Sequence, residues 1–253
     1  MPEQLWFTEF LNGLFHGPVT AFLRALHIEP KYPQAPITNS FAMELLVFGF
    51  LLTIFLIVRS RLSVDQPGGL QHVTEFFHGF VDSQAREIIG HGSEHYVAFL
   101  TILGVFILAC NLLGVIPTLE SPTGVAIVPL GCAIAAFCYY NWQGIKHHGV
   151  AGYFKHFFGP PMEGMPLPVR IVLAALMLPI ELVSHLARLL SLTVRLWANI
   201  FAGDLVTLVF FSMIPIGAPI IFISLHIGVA FLQAYVFTLL TIIYISGAVA
   251  EEH

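Results

Sequence analysis

The stretch that decides the fold is Ile180–Phe211, which reads IELVSHLARLLSLTVRLWANIFAGDLVTLVFF. It contains no proline and a single glycine, Gly203, so nothing in it predicts a turn. At about 1.5 Å per residue the stretch forms a helix about 48 Å long, whereas the hydrocarbon core of a bilayer is about 30 Å thick. A second apolar stretch, Ile220–Ala250, is about as long, and Pro215–Pro219 between them predicts a hairpin turn. Two such helices joined by a tight turn must tilt steeply in the membrane.

Composition places the whole chain in a membrane. Of 253 residues, 57% are hydrophobic and only 10% are charged, whereas about a quarter of a soluble domain is charged. The mean hydropathy is +0.84. The net charge of −5 and the scattered basic residues exclude a nucleic-acid partner. The three cysteines lie in apolar runs without metal-ligand spacing, which is typical of small core residues.

The remaining segments predict an all-α polytopic membrane protein with upright spans, one interfacial amphipathic helix and two long, steeply tilted C-terminal helices that form a hairpin. Three spans are predicted at Phe41–Val58, Tyr96–Ile116 and Val125–Tyr140. Between the first two, Leu70–Ile89 has apolar residues at helical spacing and charged residues on the other face, which predicts a helix on the membrane surface. In residues 1–40, Pro18, Pro30, Pro33 and Pro36 are expected to break any long helix. We expect a single membrane domain over 1–253, divided into a short helix and loop (1–40), three spans with the interfacial helix at 70–89 (41–142), a cytoplasmic loop (143–168) and the long helical hairpin (169–250).

The distribution of basic residues predicts the orientation. Lysine and arginine follow the first and third spans, and few of them flank the loop Pro117–Gly124 between the second and third spans. By the positive-inside rule the N-terminus is then periplasmic, residues 59–95 and 142–168 are cytoplasmic, and the C-terminus is cytoplasmic.

Polar side chains on the first long helix are the candidate functional residues. An ionisable residue at mid-membrane depth costs about 3 kcal/mol to insert, so it is kept where it faces protein, water or another polar group. At 100° per residue, five of the polar residues fall within an arc of about 80°: Glu181, His185, Arg188, Arg195 and Asn199. Asp204 points to the opposite side, about 14 Å farther along the axis than Arg195.

The last helix carries a matching stripe of His226, Gln233 and Tyr244. Antiparallel packing through the hairpin predicts Asp204 close to His226, and Arg195 close to Gln233. Carboxylate and imidazole groups titrate within reach of physiological pH and are suited to passing protons. An arginine remains charged and passes none.

Three motifs closely resemble subunit a of F-type ATP synthases. They are Ser191-Leu-Thr-Val-Arg-Leu-Trp-Ala-Asn-Ile-Phe-Ala-Gly-Asp-Leu205, the run from Leu225-His226 through Gln233 to Ser246, and Asn111-Leu-Leu-Gly-Val-Ile-Pro117. The resemblance covers most of the chain and is most specific from Glu181 to Ser246. It implies a membrane stator whose two inclined helices curve against a rotating ring of c subunits.

The resemblance also implies roles for individual residues. Arg195 matches the essential arginine that faces the ring carboxylate. Asp204 and His226 match positions in the half-channel from the periplasmic side, although relatives often carry Glu or His where this chain has Asp204. Glu181 matches an acid of the cytoplasmic half-channel, and Asn199 and Gln233 match polar neighbours of the arginine. His185 and Tyr244 are accessory candidates, and the resemblance assigns no role to His185 or Arg188.

The implied partners are the c-subunit ring, the peripheral-stalk b subunits, the rest of the F1Fo complex, the lipid bilayer and the translocated protons, with no cofactor and no metal. The implied location is the bacterial plasma membrane rather than an organelle membrane. Without a nucleotide-binding motif the chain is expected to be a non-catalytic subunit.

Other interpretations are open for several of these residues. Glu181 could simply neutralise His185 or Arg188 inside a helix bundle, and for the latter two a structural role is favoured. The chief alternative for the whole chain is a stand-alone ion-coupled transporter or channel, which would need an inverted repeat or a substrate cavity. A membrane enzyme with a histidine-bound metal is a second alternative, suggested by His91, His95 and His147-His148.

Overall fold

A computed structural model of the chain describes residues 4–27, 29, 32–63, 68–116, 119–156, 167–213 and 218–250. Within these residues the only regular structure is helical, which confirms the predicted all-α class. The α-helices are α1 (Trp6–Ala25), α2 (Asn39–Ser60), α3 (Gly69–Ile88), α4 (Glu94–Leu113), α5 (Ile127–His156), α6 (Leu167–Met213) and α7 (Ala218–Val249). A short 3-10 helix at Pro122–Gly124 lies between α4 and α5.

Four helices among the described residues are long and apolar enough to cross a membrane. They are α2, α4, the Ala175–Phe210 part of α6 and the Ile220–Val249 part of α7. The predicted third span, Val125–Tyr140, overlaps the first part of α5, which begins at Ile127 and is not one of the four. Its apolar residues give way to Tyr139, Tyr140 and Asn141 after little more than three turns, which is short for a span of about 20 residues.

The last helix, α7, is about as long as the sequence predicts, and α6 is longer than predicted. It runs for 47 residues, through Pro179, and α7 runs for 32. At about 1.5 Å per residue α6 is about 70 Å long, more than twice the hydrocarbon thickness, and its steep tilt in the bilayer remains a prediction. α6 packs along α7. The predicted turn at Pro215–Pro219 lies outside the described residues except for its last two, which begin α7.

The N-terminal helix is longer than the short helix predicted for residues 1–40. We expected its prolines to break it, but α1 continues through Pro18 for 20 residues. A proline removes one backbone hydrogen bond, and α1 is held by other contacts. The side chain of Asn12 donates to the carbonyl of Ile37 (3.1 Å) and accepts from its amide (3.0 Å), which ties α1 to the start of α2.

The predicted loop 143–168 is partly helical, so its expected start was wrong. α5 continues to His156, with a break at Gly149, where φ is +72°. After this break the chain turns back on itself. As a result the hydroxyl of Tyr153 donates to the side-chain oxygen of Asn141, 12 residues earlier, at 2.6 Å. Gly144 makes room for the returning ring, since a Cβ there would lie 2.5 Å from it. Residues 157–166 of the predicted loop lie outside the described residues.

The amphipathic helix predicted at 70–89 is α3, displaced by one residue. Its polar face carries an ion pair between Arg86 and Asp82 (3.0 Å), and Arg86 also lies 3.4 Å from Glu94 at the start of α4. Its other face packs against α4 and α7. Its position on the membrane surface remains a prediction.

The core lies where α4, α5, α6 and α7 meet. Its buried side chains include Ile107, Ala136, Leu196, Ile200 and Phe237. Small residues let the helices approach closely: a Cβ on Gly104 of α4 would lie 2.6 Å from the hydroxyl of Thr238 on α7. This packing holds the polar face of α6 in a fixed register against α7.

Candidate intramembrane site

Arg195 lies near the middle of the spanning part of α6, and its side chain is exposed on the surface of the chain. Its guanidinium donates to the hydroxyl of Ser191, one turn earlier, at 3.3 Å. Two small residues, Ser191 and Ala202, are also exposed on this side of α6. Small residues allow a neighbouring helix to come close, so this face leaves Arg195 accessible to a partner.

One turn farther along α6, Asn199 forms the polar contact to α7. Its amide donates to Oε1 of Gln233 at 2.8 Å. Gln233 is 1% exposed, and its Nε2 has no hydrogen-bond partner among the described residues. We expected Arg195 close to Gln233. In the structure the bond to Gln233 comes from Asn199, and Arg195 donates to Ser191.

Asp204 and His226 come together, as the spacing on either side of the hairpin predicts. Nε2 of His226 lies 3.7 Å from a carboxylate oxygen of Asp204. The imidazole is buried and its Nε2 has no hydrogen-bond partner among the described residues, whereas the Asp204 side chain is 40% exposed. The pair therefore has a buried end on α7 and an accessible end on α6.

Gly203 makes this approach possible, a role that the sequence analysis missed. A Cβ at this position would lie 2.8 Å from Nδ1 and 3.2 Å from Cε1 of His226. The imidazole thus occupies the space where any other residue would carry its side chain. The available signal was that Gly203 is the only glycine in a long, otherwise unbroken helix.

The 3-10 helix at Pro122–Gly124 packs beside Asp204 and forms one wall of this site. The sequence did not predict this contact. A Cβ on Gly124 would lie 3.3 Å from the Asp204 carboxylate, and the carbonyl of Gly124 accepts from the Trp197 indole at 3.1 Å. Thr123 donates to the fully buried Asn111 at 2.7 Å, and Asn111 donates to a backbone carbonyl of α7 at 3.4 Å. These bonds fix the wall to α4, α6 and α7.

A second polar cluster lies toward the N-terminal end of α6. Nε2 of His185 lies 3.4 Å from Oε1 of Glu181, one turn earlier on the helix. The hydroxyl of Tyr140 on α5 lies 2.9 Å from Nδ1 of the same imidazole. The structure therefore pairs Glu181 with His185, the first of the two partners considered from the sequence, and adds Tyr140.

Arg188 and Tyr244 meet beside this cluster. The guanidinium carbon of Arg188 lies 5.3 Å from the centre of the Tyr244 ring on α7, a distance typical of a cation–π contact. The Tyr244 ring also packs against Tyr140, with 5.9 Å between ring centres. Tyr244 thus faces α6, as the predicted stripe with His226 and Gln233 requires.

The two clusters are well separated along α6. Glu181 precedes Arg195 by 14 residues and Asp204 follows it by nine, which at about 1.5 Å per residue corresponds to about 21 Å and about 14 Å. No group of three or more His, Cys, Asp or Glu that could hold a metal ion occurs in the part of the chain that the structure describes. The arrangement is suited to holding protons at two separate places with a permanent cation between them.

Fold and site together define a class: an all-helical, multi-span membrane protein whose longest helix carries an exposed arginine between two titratable clusters. A family model described as ATP synthase A chain matches residues 41–246. The chain is 48% identical to ATP synthase subunit a of Koribacter versatilis over 253 residues, which is all of both chains. It is 52% identical to ATP synthase subunit a of Solibacter usitatus over 222 residues, 87% of this chain and 91% of that one.

A more distant relative shows the same likeness. ATP synthase subunit a of a Sulfurihydrogenibium species is 37% identical over 212 residues, 83% of this chain and 97% of the relative. The chain belongs to the ATP synthase A chain family and is a membrane-sector subunit of an ATP synthase complex.

Proposed function

We propose that the chain translocates protons through two offset half-channels and couples their passage to the rotation of a ring of c subunits. The observation that carries the proposal is the order of groups along α6: a carboxylate with imidazole, an exposed arginine, and a second carboxylate with imidazole. Each cluster holds groups that exchange protons, and the arginine between them does not.

The proposed inlet contains Asp204 and His226. Asp204 is partly exposed and His226 is buried, so the pair connects an accessible carboxylate to the interior of the α6–α7 interface. A proton arriving here neutralises a carboxylate on the ring. A neutral carboxyl group can then move into lipid without the cost of inserting a charge.

The proposed outlet contains Glu181, about 35 Å from Asp204 along α6. After almost a full turn of the ring, the protonated carboxyl reaches this side and releases its proton. Arg195 stabilises the ionised ring carboxylate as it passes from outlet to inlet. Because the guanidinium keeps its charge, it also prevents protons from passing directly between the two half-channels.

Asn199 and Gln233 support the arginine in this proposal. Asn199 donates to Oε1 of Gln233, which joins α6 to α7 one turn from Arg195, and the buried Nε2 of Gln233 has no hydrogen-bond partner among the described residues. A proton crossing a potential of 100 mV supplies about 2.3 kcal/mol, so several protons are needed for each ATP.

The proposal extends to the partners and the membrane. The c-subunit ring would cover the exposed Arg195 face, and the peripheral-stalk b subunits would hold the chain against rotation. The chain would lie in the bacterial plasma membrane, and α5 would cross it in addition to the four long apolar helices, which gives a periplasmic N-terminus and a cytoplasmic C-terminus. Nucleotide chemistry would take place on other subunits.

Purification from detergent-solubilised membranes tests the proposal directly. We expect a tagged chain to co-purify with a ring of small hairpin proteins, because a charge exposed on a membrane helix is costly and a carboxylate on a partner would neutralise it. Mass spectrometry of the purified complex identifies the subunits. A chain that purifies alone and conducts ions in vesicles would instead be a stand-alone transporter or channel.

Substituting the inlet acid tests one half-channel. We expect Asp204→Asn to assemble normally and to slow proton flux at least about tenfold, because an amide of the same shape cannot exchange a proton. Flux is measured at low driving force in membrane vesicles. The matched control is Asp82→Asn on the exposed face of α3, which should leave flux within about twofold. Unchanged flux in Asp204→Asn would remove this residue from the inlet.

A further inference from the structure

The imidazole of His185 lies between the side chains of Tyr140 and Glu181, and no sequence motif predicts either contact. Its Nδ1 is 2.9 Å from the hydroxyl of Tyr140 on α5, and its Nε2 is 3.4 Å from Oε1 of Glu181 on α6. We infer that His185, oriented by Tyr140, is a positioning residue that fixes the carboxylate of Glu181 in the outlet. The inference rests on the proposed function, since it gives the outlet acid a defined geometry.

The contact with Tyr140 is compatible with a hydrogen on Nε2 of His185. Tyr140 is 1% exposed, and a buried phenol retains its proton. When its hydroxyl donates to Nδ1 of a neutral imidazole, the hydrogen of the ring is on Nε2. If the imidazole is protonated, both nitrogens carry hydrogen. In both states an N–H points toward Glu181.

An ionised Glu181 favours the same arrangement. A bare lone pair on Nε2 would face a carboxylate oxygen at 3.4 Å and repel it. An N–H at this distance is attractive. The phenol on one side of the ring and the carboxylate on the other therefore select the same tautomer of His185.

The surroundings of His185 suit a fixed group rather than a carrier of protons. Its ring is buried, stacks on Tyr140 with 21° between the planes, and meets Phe137 edge-on at 89°. Beyond Nδ1 lies the buried phenol of Tyr140. The Glu181 side chain, by contrast, is 30% exposed, so the proton reaches and leaves the outlet through Glu181 itself.

The charged neighbour of this cluster is also held in place. Arg188 lies one turn after His185 on α6 and is placed over the Tyr244 ring on α7, which packs against Tyr140. Three helices thus fix the rings around His185. Such a frame lets the imidazole hold one oxygen of Glu181 and leaves the other free to exchange a proton in a constant geometry.

Two substitutions of His185 separate positioning from packing. The amide of glutamine reaches about as far from the backbone as Nε2 and can donate to Glu181, whereas the amide of asparagine reaches only as far as Nδ1. We expect His185→Asn to lower the initial rate of ATP-driven proton uptake by inverted membrane vesicles about tenfold, because a hydrogen bond to a charged group is lost. We expect His185→Gln to stay within about threefold of the parent, with the same pH profile.

Rates are compared per amount of assembled complex. Parental rates in both variants would overturn the inference. A large loss in both, with normal assembly and an altered pH profile, would also overturn it, because the imidazole would then carry the proton itself. If either variant fails to assemble, Tyr140→Phe decides: it keeps the ring and removes the hydroxyl, so we expect a loss of about threefold with normal assembly, and a parental rate would overturn the inference.

Glu181→Gln distinguishes this inference from the proposed function. If that variant retains coupled pumping, Glu181 is not the outlet acid and the proposed outlet fails. If Glu181→Gln loses pumping while His185→Asn retains it, the outlet stands and only the positioning role of His185 fails.

Discussion

Arg195→Ala should abolish ATP-driven proton pumping. The exposed guanidinium lies between the Glu181 cluster and the Asp204 cluster on α6, whereas Arg188, the other arginine on this stretch, is placed over the Tyr244 ring. An arginine side chain keeps its charge and passes no proton on. Without it, an ionised ring carboxylate has no counter-charge at the point where it must leave the outlet for the inlet. The measurement is acidification of inverted membrane vesicles on addition of ATP.

The control for this prediction is Arg24→Ala, the same substitution in the last turn of α1 and far from α6 in sequence. It should leave pumping within about twofold of the parent, as expected for an exposed side chain outside a site. Both variants must assemble to the parental level for the comparison to hold. Coupled pumping by assembled Arg195→Ala complexes would refute the proposed role of the arginine.

Much of the fold could be predicted because long apolar runs leave few alternatives in a membrane. The predicted spans at Phe41–Val58 and Tyr96–Ile116 and the two long C-terminal helices match observed helices. The errors concern α1 and α5, where the chain is less apolar. Pro18 was expected to end a helix that tertiary contacts through Asn12 sustain. The helical residues 143–156 were expected to form a loop, and a contact such as Tyr153 with Asn141 has no signature in periodicity.

The contacts of the site that depend only on residue spacing along α6 and α7 could be predicted from the sequence. Counting from the hairpin placed Asp204 close to His226, and the structure confirms that contact. The same count could not reveal that Asn199, rather than Arg195, bonds Gln233, because neighbouring turns differ by only a small rotation. Tyr140 and the 3-10 helix at Pro122–Gly124 come from other parts of the chain. Their contacts depend on how helices pack, which no local pattern records.

Gly203→Ala should disable the proposed inlet although it adds only a methyl group. In an open helix position this change stabilises the helix by about 1 kcal/mol. Here the new Cβ would lie 2.8 Å from Nδ1 of His226, so the imidazole or the α6–α7 spacing must shift. Overpacking a buried contact costs about 1–3 kcal/mol, and it moves His226 relative to Asp204, 3.7 Å away. We expect ATP-driven pumping to fall at least about tenfold, because a displacement of about 1 Å disrupts a geometry that must transfer protons.

Gly131→Ala on α5 is the matched control for this last prediction. Gly131 is also an interior helix glycine, but a Cβ there meets nothing within 4 Å, so the substitution should leave pumping within about twofold or raise the thermal stability slightly. A larger loss of pumping in Gly203→Ala than in Gly131→Ala, at equal assembly, would attribute the effect to the contact with His226. Equal rates in the two variants would mean that His226 can move aside freely, and an imidazole that moves freely is not held at a fixed place beside Asp204.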